Sequence, residues 1–144
     1  MKEINLSECQ LVNAVSRHPT ISITASCVIV SPDLVKLLRC PPAIRVYMGN
    51  DKTFAVLIPC SPGEEGSIRC STVQGGYIRL NNRALSSIFA DIVHIDLSEK
   101  WAKIGGEYQT QVSGFVLDLS PSSVRIFERK RMTKHDHQQS DLGK

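Results

Sequence analysis

Apolar positions along this chain fall mostly in short alternating or continuous stretches broken by polar turns, with one longer helical stripe near the start. Leu6 to Arg17 places Leu11, Val12 and Val15 on one face, with Ser7 and Gln10 at capping-box spacing. That pattern predicts a helix over about 6–17, which Pro19 ends. Ile21 to Val30 is rich in β-branched residues and predicts a strand bent near Ala25-Ser26. At Ser31-Pro32-Asp33 the pattern changes abruptly. A serine hydroxyl can accept from an orphan amide of a first helical turn, a proline fits the first helical position, and an aspartate suits the positive end of the helix dipole. Leu34, Leu37 and Leu38 then share a face, and Pro41-Pro42 closes a helix too short to be stable alone. "AIRVYM" (Ala43 to Met48) alternates as a half-buried strand, "GNDK" is a hairpin turn, and "TFAVLIP" (Thr53 to Pro59) is a continuous apolar strand before the loop "SPGEEG".

A second passage repeats the order. "YIRLNNRALSSIF" (Tyr77 to Phe89) reads as strand, polar cap and short helix. A shift of 50 residues lays Val28 on Ile78, Val30 on Leu80, Ser31 on Asn81, Val35 on Leu85 and Leu38 on Ile88. "VHIDL" (Val93 to Leu97), a looped stretch through Trp101, "GEYQTQV" (Gly106 to Val112) and "FVLDL" (Phe115 to Leu119) complete it. The predicted fold class is therefore α+β. Two β-α-β-β units, about 21–60 and 77–119, build one small β-barrel within a domain of residues 1–120, followed by a basic, partly flexible tail over 121–144.

Residues 28–59 resemble the AbrB/MazE-type transcription-factor unit: a strand, a capped short helix, a strand, a turn and a last strand. In that family two chains interlock as a swapped-hairpin barrel. The resemblance implies a helix-capped barrel, here with both halves on one chain, and a nucleic-acid partner. Cys40-Pro41-Pro42-Ala43 stands where the family has an acidic Gly-Asp, and the first strand lacks the family's basic residues. Residues 20–120 are also similar in order to uncharacterised proteins of bacterial phages and mobile elements.

A chain of 144 residues is enough for one well-cored domain. The N-terminus has no apolar signal-peptide core and no stretch approaches a membrane span, so a cytoplasmic protein without a membrane partner is expected. Five cysteines without a C-x-x-C pair read as reduced, packed thiols, with Cys27 and Cys40 beside the first helix. No nucleophile elbow, phosphate loop or dinucleotide fingerprint is present, and neither enzyme activity nor a cofactor or metal is expected. Gly75-Gly76 and Gly105-Gly106 read as turns, His94 as a structural histidine in a strand, and His135-Asp136-His137 as solvated tail. Asp118 either faces solvent by alternation or points inward to Arg79 or Arg83.

Charge is unevenly placed. Residues 1–120 hold 11 basic and 11 acidic side chains, whereas 121–144 hold six and three, so the net +3 lies in the tail. Arg125, Arg129, Lys130, Arg131 and Lys134 are the candidate nucleic-acid contacts, with Arg79 and Arg83 in the body. If the tail is helical, Arg125 and Arg129 share a stripe; the alternative is a solvated tail that serves only solubility. Two functions fit: a non-enzymatic nucleic-acid-binding regulator of phage or mobile-element origin, or a protein-binding inhibitor of a host defence nucleoprotein, anti-CRISPR-like. The first partner would be nucleic acid, the second a host nucleoprotein, and the chain a monomeric pseudo-dimer or a homodimer.

Overall fold

The computed structural model describes residues 3–9 and 18–129. Among the described residues ten strands form a nearly closed antiparallel barrel, accompanied by two α-helices. The strands are β1 (Thr20–Ile23), β2 (Val28–Val30), β3 (Ala43–Met48), β4 (Phe54–Cys60), β5 (Ile68–Arg69), β6 (Ser71–Val73), β7 (Tyr77–Leu80), β8 (Lys100–Gln109), β9 (Gly114–Asp118) and β10 (Val124–Glu128). Helix α1 spans Pro32–Leu37 and α2 spans Arg83–Val93. Neighbouring strands run β5-β3-β4-β9-β8-β1-β2-β7-β6, and β10 pairs with β8. The two ends of this order, β5 and β6, are separated in the chain only by Cys70, whose amide donates to the Pro42 carbonyl at 3.0 Å. The chain itself thus links the sheet's ends. Burial among apolar neighbours pushes the Cys70 thiol up to about 11.

Period-two burial fixes which way each strand faces. Ile104, Ile21, Val30 and Ile78 form one inward cross-strand row, and Ala102, Ile23, Val28 and Leu80 the next. On the opposite wall Leu57 pairs with Phe115 and Ala55 with Leu117. Leu34 and Leu38 of the α1 region and Leu85 and Phe89 of α2 join the same core. Strand β8 joins the two walls: its first half pairs with β1 and β10, its second half with β9. The change falls at Gly105-Gly106, which is strand rather than the predicted turn. A β-carbon on Gly106 would lie 1.8 Å from the Val116 carbonyl oxygen, so only glycine permits this approach.

Pairings recur along the chain. Advancing both partners of the β3–β4 hairpin by 60 residues turns Val46↔Leu57 into Gly106↔Leu117 and Met48↔Ala55 into Tyr108↔Phe115, which are the β8–β9 pairings. Val56 pairs with Val116, 60 residues on, and Ile29 with Arg79, 50 residues on.

The α1 entry is as predicted: Ser31 Oγ accepts from the Leu34 amide at 3.4 Å and from the Thr20 amide at 3.0 Å. The helix ends with Arg39 and Cys40 both left-handed, their amides bonded to Lys36 and Val35 carbonyls. Several expectations change. Ile21–Val30 is not one bent strand but the hairpin β1–β2, with Thr24–Cys27 at its tip. Asn82, not Asn81, caps α2, accepting from Leu85 at 2.9 Å. Measured from the caps, Leu34 therefore corresponds to Leu85, Val35 to buried Ser86 and Leu38 to Phe89. Val93 to Leu97 is not a strand: α2 continues to Val93 and His94 is its left-handed cap. Near the N-terminus, Leu6–Glu8 is one exposed 3-10 turn started by Asn5; positions 10–17 of the expected helix lie outside the described residues. Cys27 is buried as expected, but Cys40 is exposed. Asp118 faces solvent and accepts from the Ser120 amide (3.0 Å) and the Ser120 and Ser123 hydroxyls (2.8 and 2.7 Å), not from an arginine.

Candidate nucleic-acid interface

The start of the predicted tail is built into the barrel. Val124–Glu128 is not helical; it is β10, registered on β8 so that Arg125 opposes Lys103 and Phe127 opposes Trp101. Alternation accounts for the outward set. Ala102 and Ile104 point into the core, so Trp101 and Lys103 must point out, and their β10 partners follow. Trp101 and Phe127 stack with centroids 4.4 Å apart and planes 18° from parallel. Lys103 lies 5.9 Å over the Trp101 ring, and Arg125 5.9 Å over Phe127.

The same outward row continues across the wall. Arg125 opposes Lys103, Lys103 opposes Ser22, Ser22 opposes Ile29, Ile29 opposes Arg79, and Arg79 opposes Ser71. At about 4.8 Å per strand step, the row runs roughly 19 Å along the curved sheet from Arg125 to Arg79, with Lys103, Ser22 and Ile29 between them. Beside this row lies a cleft of about 570 Å³. Thr20, Ser22, Thr24 and Ile29 line it, as do Trp101 and Lys103, Pro32 and Asp33 at the start of α1, and Lys100 and Arg129. His18 and Tyr77 also line it, and Tyr77 is 43% exposed. Arg129 is placed by its amide, which donates to the Glu99 carbonyl at 2.7 Å, while its guanidinium makes only long contacts, 3.4 and 3.5 Å, to the Leu97 and Ser98 carbonyls. Lys100 and Glu128 are 3.8 Å apart and exposed, a contact that contributes little.

The opposite wall has a different character. Its outward row, Tyr47, Val56, Val116 and Glu107, carries no cation. Arg45 nearby is tied to Glu64 at 3.0 Å and to the Glu65 carbonyl at 2.9 Å. The cationic row therefore lies on the same side of the barrel as the stacked Trp101–Phe127 pair, whereas the exposed aromatic of the opposite row, Tyr47, has no cation beside it in that row.

Of the predicted contacts, Arg79, Arg125 and Arg129 share this side. Arg83 is exposed at the first residue of α2, outside the row. Lys130, Arg131 and Lys134, and with them His135-Asp136-His137, lie outside the described residues. Trp101, Lys103, Ser22 and Tyr77 were not among the predicted contacts. The alternation of "KWAKI" against "VRIFE" carried the signal, but only as strand, and both segments had other readings. Among the described residues no cluster of His, Cys, Asp or Glu could hold a metal ion, and no helix is long and apolar enough to cross a membrane. Comparison with family models, curated proteins and solved structures found no match to this chain.

Proposed function

We propose that this protein is a non-enzymatic nucleic-acid-binding regulator whose binding surface is the outer face of the β10-β8-β1-β2-β7 wall. The observation that carries the reading is the registered row Arg125–Lys103–Ser22–Ile29–Arg79 beside the stacked Trp101–Phe127 pair. Cations in a line neutralise phosphates and release counterions, and rings beside them offer surface to bases. The same proposal takes the barrel as an internal duplication. Units β2-α1-β3-β4 and β7-α2-β8-β9 are related by a pseudo-twofold axis passing between Ile29 and Arg79 and between Val56 and Val116, positions that pair with their own equivalents. Such a chain is the single-chain counterpart of a swapped-hairpin barrel of the AbrB/MazE kind, and it is a monomer because it supplies both halves.

Salt-titrated fluorescence anisotropy with labelled duplex and single-stranded oligonucleotides tests the reading. The double variant K103Q/R125Q removes two cations from exposed or half-buried outward positions. It should flatten the slope of log affinity against log salt by about 1.4–1.8, at ~0.7 per contact on single strands and ~0.9 on duplex. An unchanged slope would place binding elsewhere. Absence of nucleic-acid binding at low salt, together with a nuclease-resistant protein partner captured from bacterial lysate, would favour the inhibitor reading.

A further inference from the structure

We propose that the ligand of this face is an unpaired strand of nucleic acid, with bases stacked on the Trp101–Phe127 pair and phosphates following Arg125, Lys103 and Arg79. The inference rests on the nucleic-acid reading above and narrows it.

Shape argues first. A duplex shows a protein its phosphates and the edges of its bases in the grooves, never the base faces. Its major groove is about 12 Å wide and admits a helix or a two-stranded ribbon. The row from Arg125 to Arg79 crosses five strands, roughly 19 Å along the curved wall, a broader face than the helix or two-stranded ribbon the major groove admits. Against an undistorted duplex it would meet mainly backbone, and the rings would find no base face to stack on without unstacking a base step.

Chemistry argues second. Trp101 lines the cleft, and its ring is already held parallel to that of Phe127 at 4.4 Å. A ring fixed by its neighbour has less freedom to lose when a base stacks on it. The cations over the two rings stand at 5.9 Å, the outer limit of a cation–π contact, which exposed side chains can exchange for a phosphate at little cost. The floor beside them is hydroxylic. Thr20 and Ser22 face outward, and neither hydroxyl has a hydrogen-bond partner among the described residues. Those groups can donate to phosphate or sugar oxygens and accept from base amino groups. The span suits a site at the short end of the ~4–16 nucleotides bound by single OB-type barrels.

The chain has one tryptophan, and it sits in the proposed site, so the native protein carries its own probe. The full chain is titrated with oligo-dT and oligo-U of about 12 nucleotides, and with a mixed-sequence duplex at equal phosphate. Saturable quenching of Trp101 by a single strand, with the duplex binding at least about tenfold more weakly, is the expected result. Which single strand binds tighter assigns DNA or RNA. In anisotropy, W101A and F127L should each lower single-strand affinity by about 5- to 150-fold while leaving the salt slope in place. Circular dichroism checks that both variants fold, and the wild-type quenching stands without them. Duplex binding equal to or tighter than single-strand binding, with W101A unaffected, would overturn the inference and leave the nucleic-acid reading intact. No binding of either form would overturn both.

Discussion

Gly106→Ala should be among the most damaging small changes in this barrel, and Gly105→Ala one of the mildest. The two glycines are adjacent in β8, and neither is left-handed, so backbone conformation does not separate them. Space does. A methyl on Gly106 would meet the Val116 carbonyl oxygen at 1.8 Å, the Val116 carbonyl carbon at 2.7 Å and the Leu117 α-carbon at 2.9 Å, all backbone of β9. Backbone cannot turn aside as a side chain can, so β8 and β9 must separate where Gly106 pairs with Leu117. Overpacking of this kind costs about 1–3 kcal/mol, and each ladder hydrogen bond loosened adds about 1 kcal/mol. A total near 3–5 kcal/mol is a large share of the ~5–15 kcal/mol that holds a domain together. At roughly 3–5 °C per kcal/mol for a domain of this size, the midpoint should fall by about 10–20 °C. A methyl on Gly105 meets nothing closer than 3.8 Å, an ordinary contact. Its stiffening of the unfolded chain should leave stability within about 1 kcal/mol of wild type. Thermal and urea melts of the two variants give the comparison. Equal losses, or an unaffected Gly106→Ala, would refute the close approach of β8 to β9.

Ser31→Ala removes the acceptor shared by the Leu34 and Thr20 amides and should lower stability by about 0.5–2 kcal/mol in thermal melts; an unchanged midpoint would mean that the hydroxyl caps nothing. Ser86 is fully buried where the first helix has Val35, and its hydroxyl has no hydrogen-bond partner among the described residues, so Ser86→Ala should be neutral or stabilising by up to about 1 kcal/mol; a loss of more than that in the same melts would reveal a partner. The Asp118 carboxyl is held below its ordinary 3.8 by the Ser120 amide and then by the Ser123 and Ser120 hydroxyls. A depressed carboxyl contributes stability above its unfolded value and loses it as pH falls through the folded one, so D118N should flatten the decline in stability below about pH 4, and an identical acid limb would contradict this.

Local features were legible where local chemistry decides them. The bounds of β3 match the alternation of "AIRVYM" between the proline pair and the turn at Gly49 to Lys52. The α1 entry followed from Ser31-Pro32-Asp33 alone. The misreadings have long-range causes. Arg125 and Arg129 are equally consistent with a helical stripe, and only pairing with β8 makes 124–128 a strand. "VHIDL" alternates apolar and polar residues as a strand would, but α2 runs on to Val93 and His94 closes it, because the core receives Leu85, Phe89 and Ala90 on one helical face. Gly105-Gly106 looks like a turn until β9 lies against it. The candidate site was half visible for the same reason. Arg79 and Arg125 could be named as cations, but only the register of five strands puts them in one row with Lys103 between.

The most direct test of the binding face is a two-dimensional amide NMR titration of the full chain with a single-stranded oligonucleotide of about 12 nucleotides. The largest shifts should fall on Ser22, Ile29, Arg79, Lys103, Arg125 and Phe127, together with the Trp101 indole N–H. Shifts concentrated instead on the opposite wall, along Tyr47, Val56, Val116 and Glu107, or on α2 around Arg83, would contradict the assignment of that face.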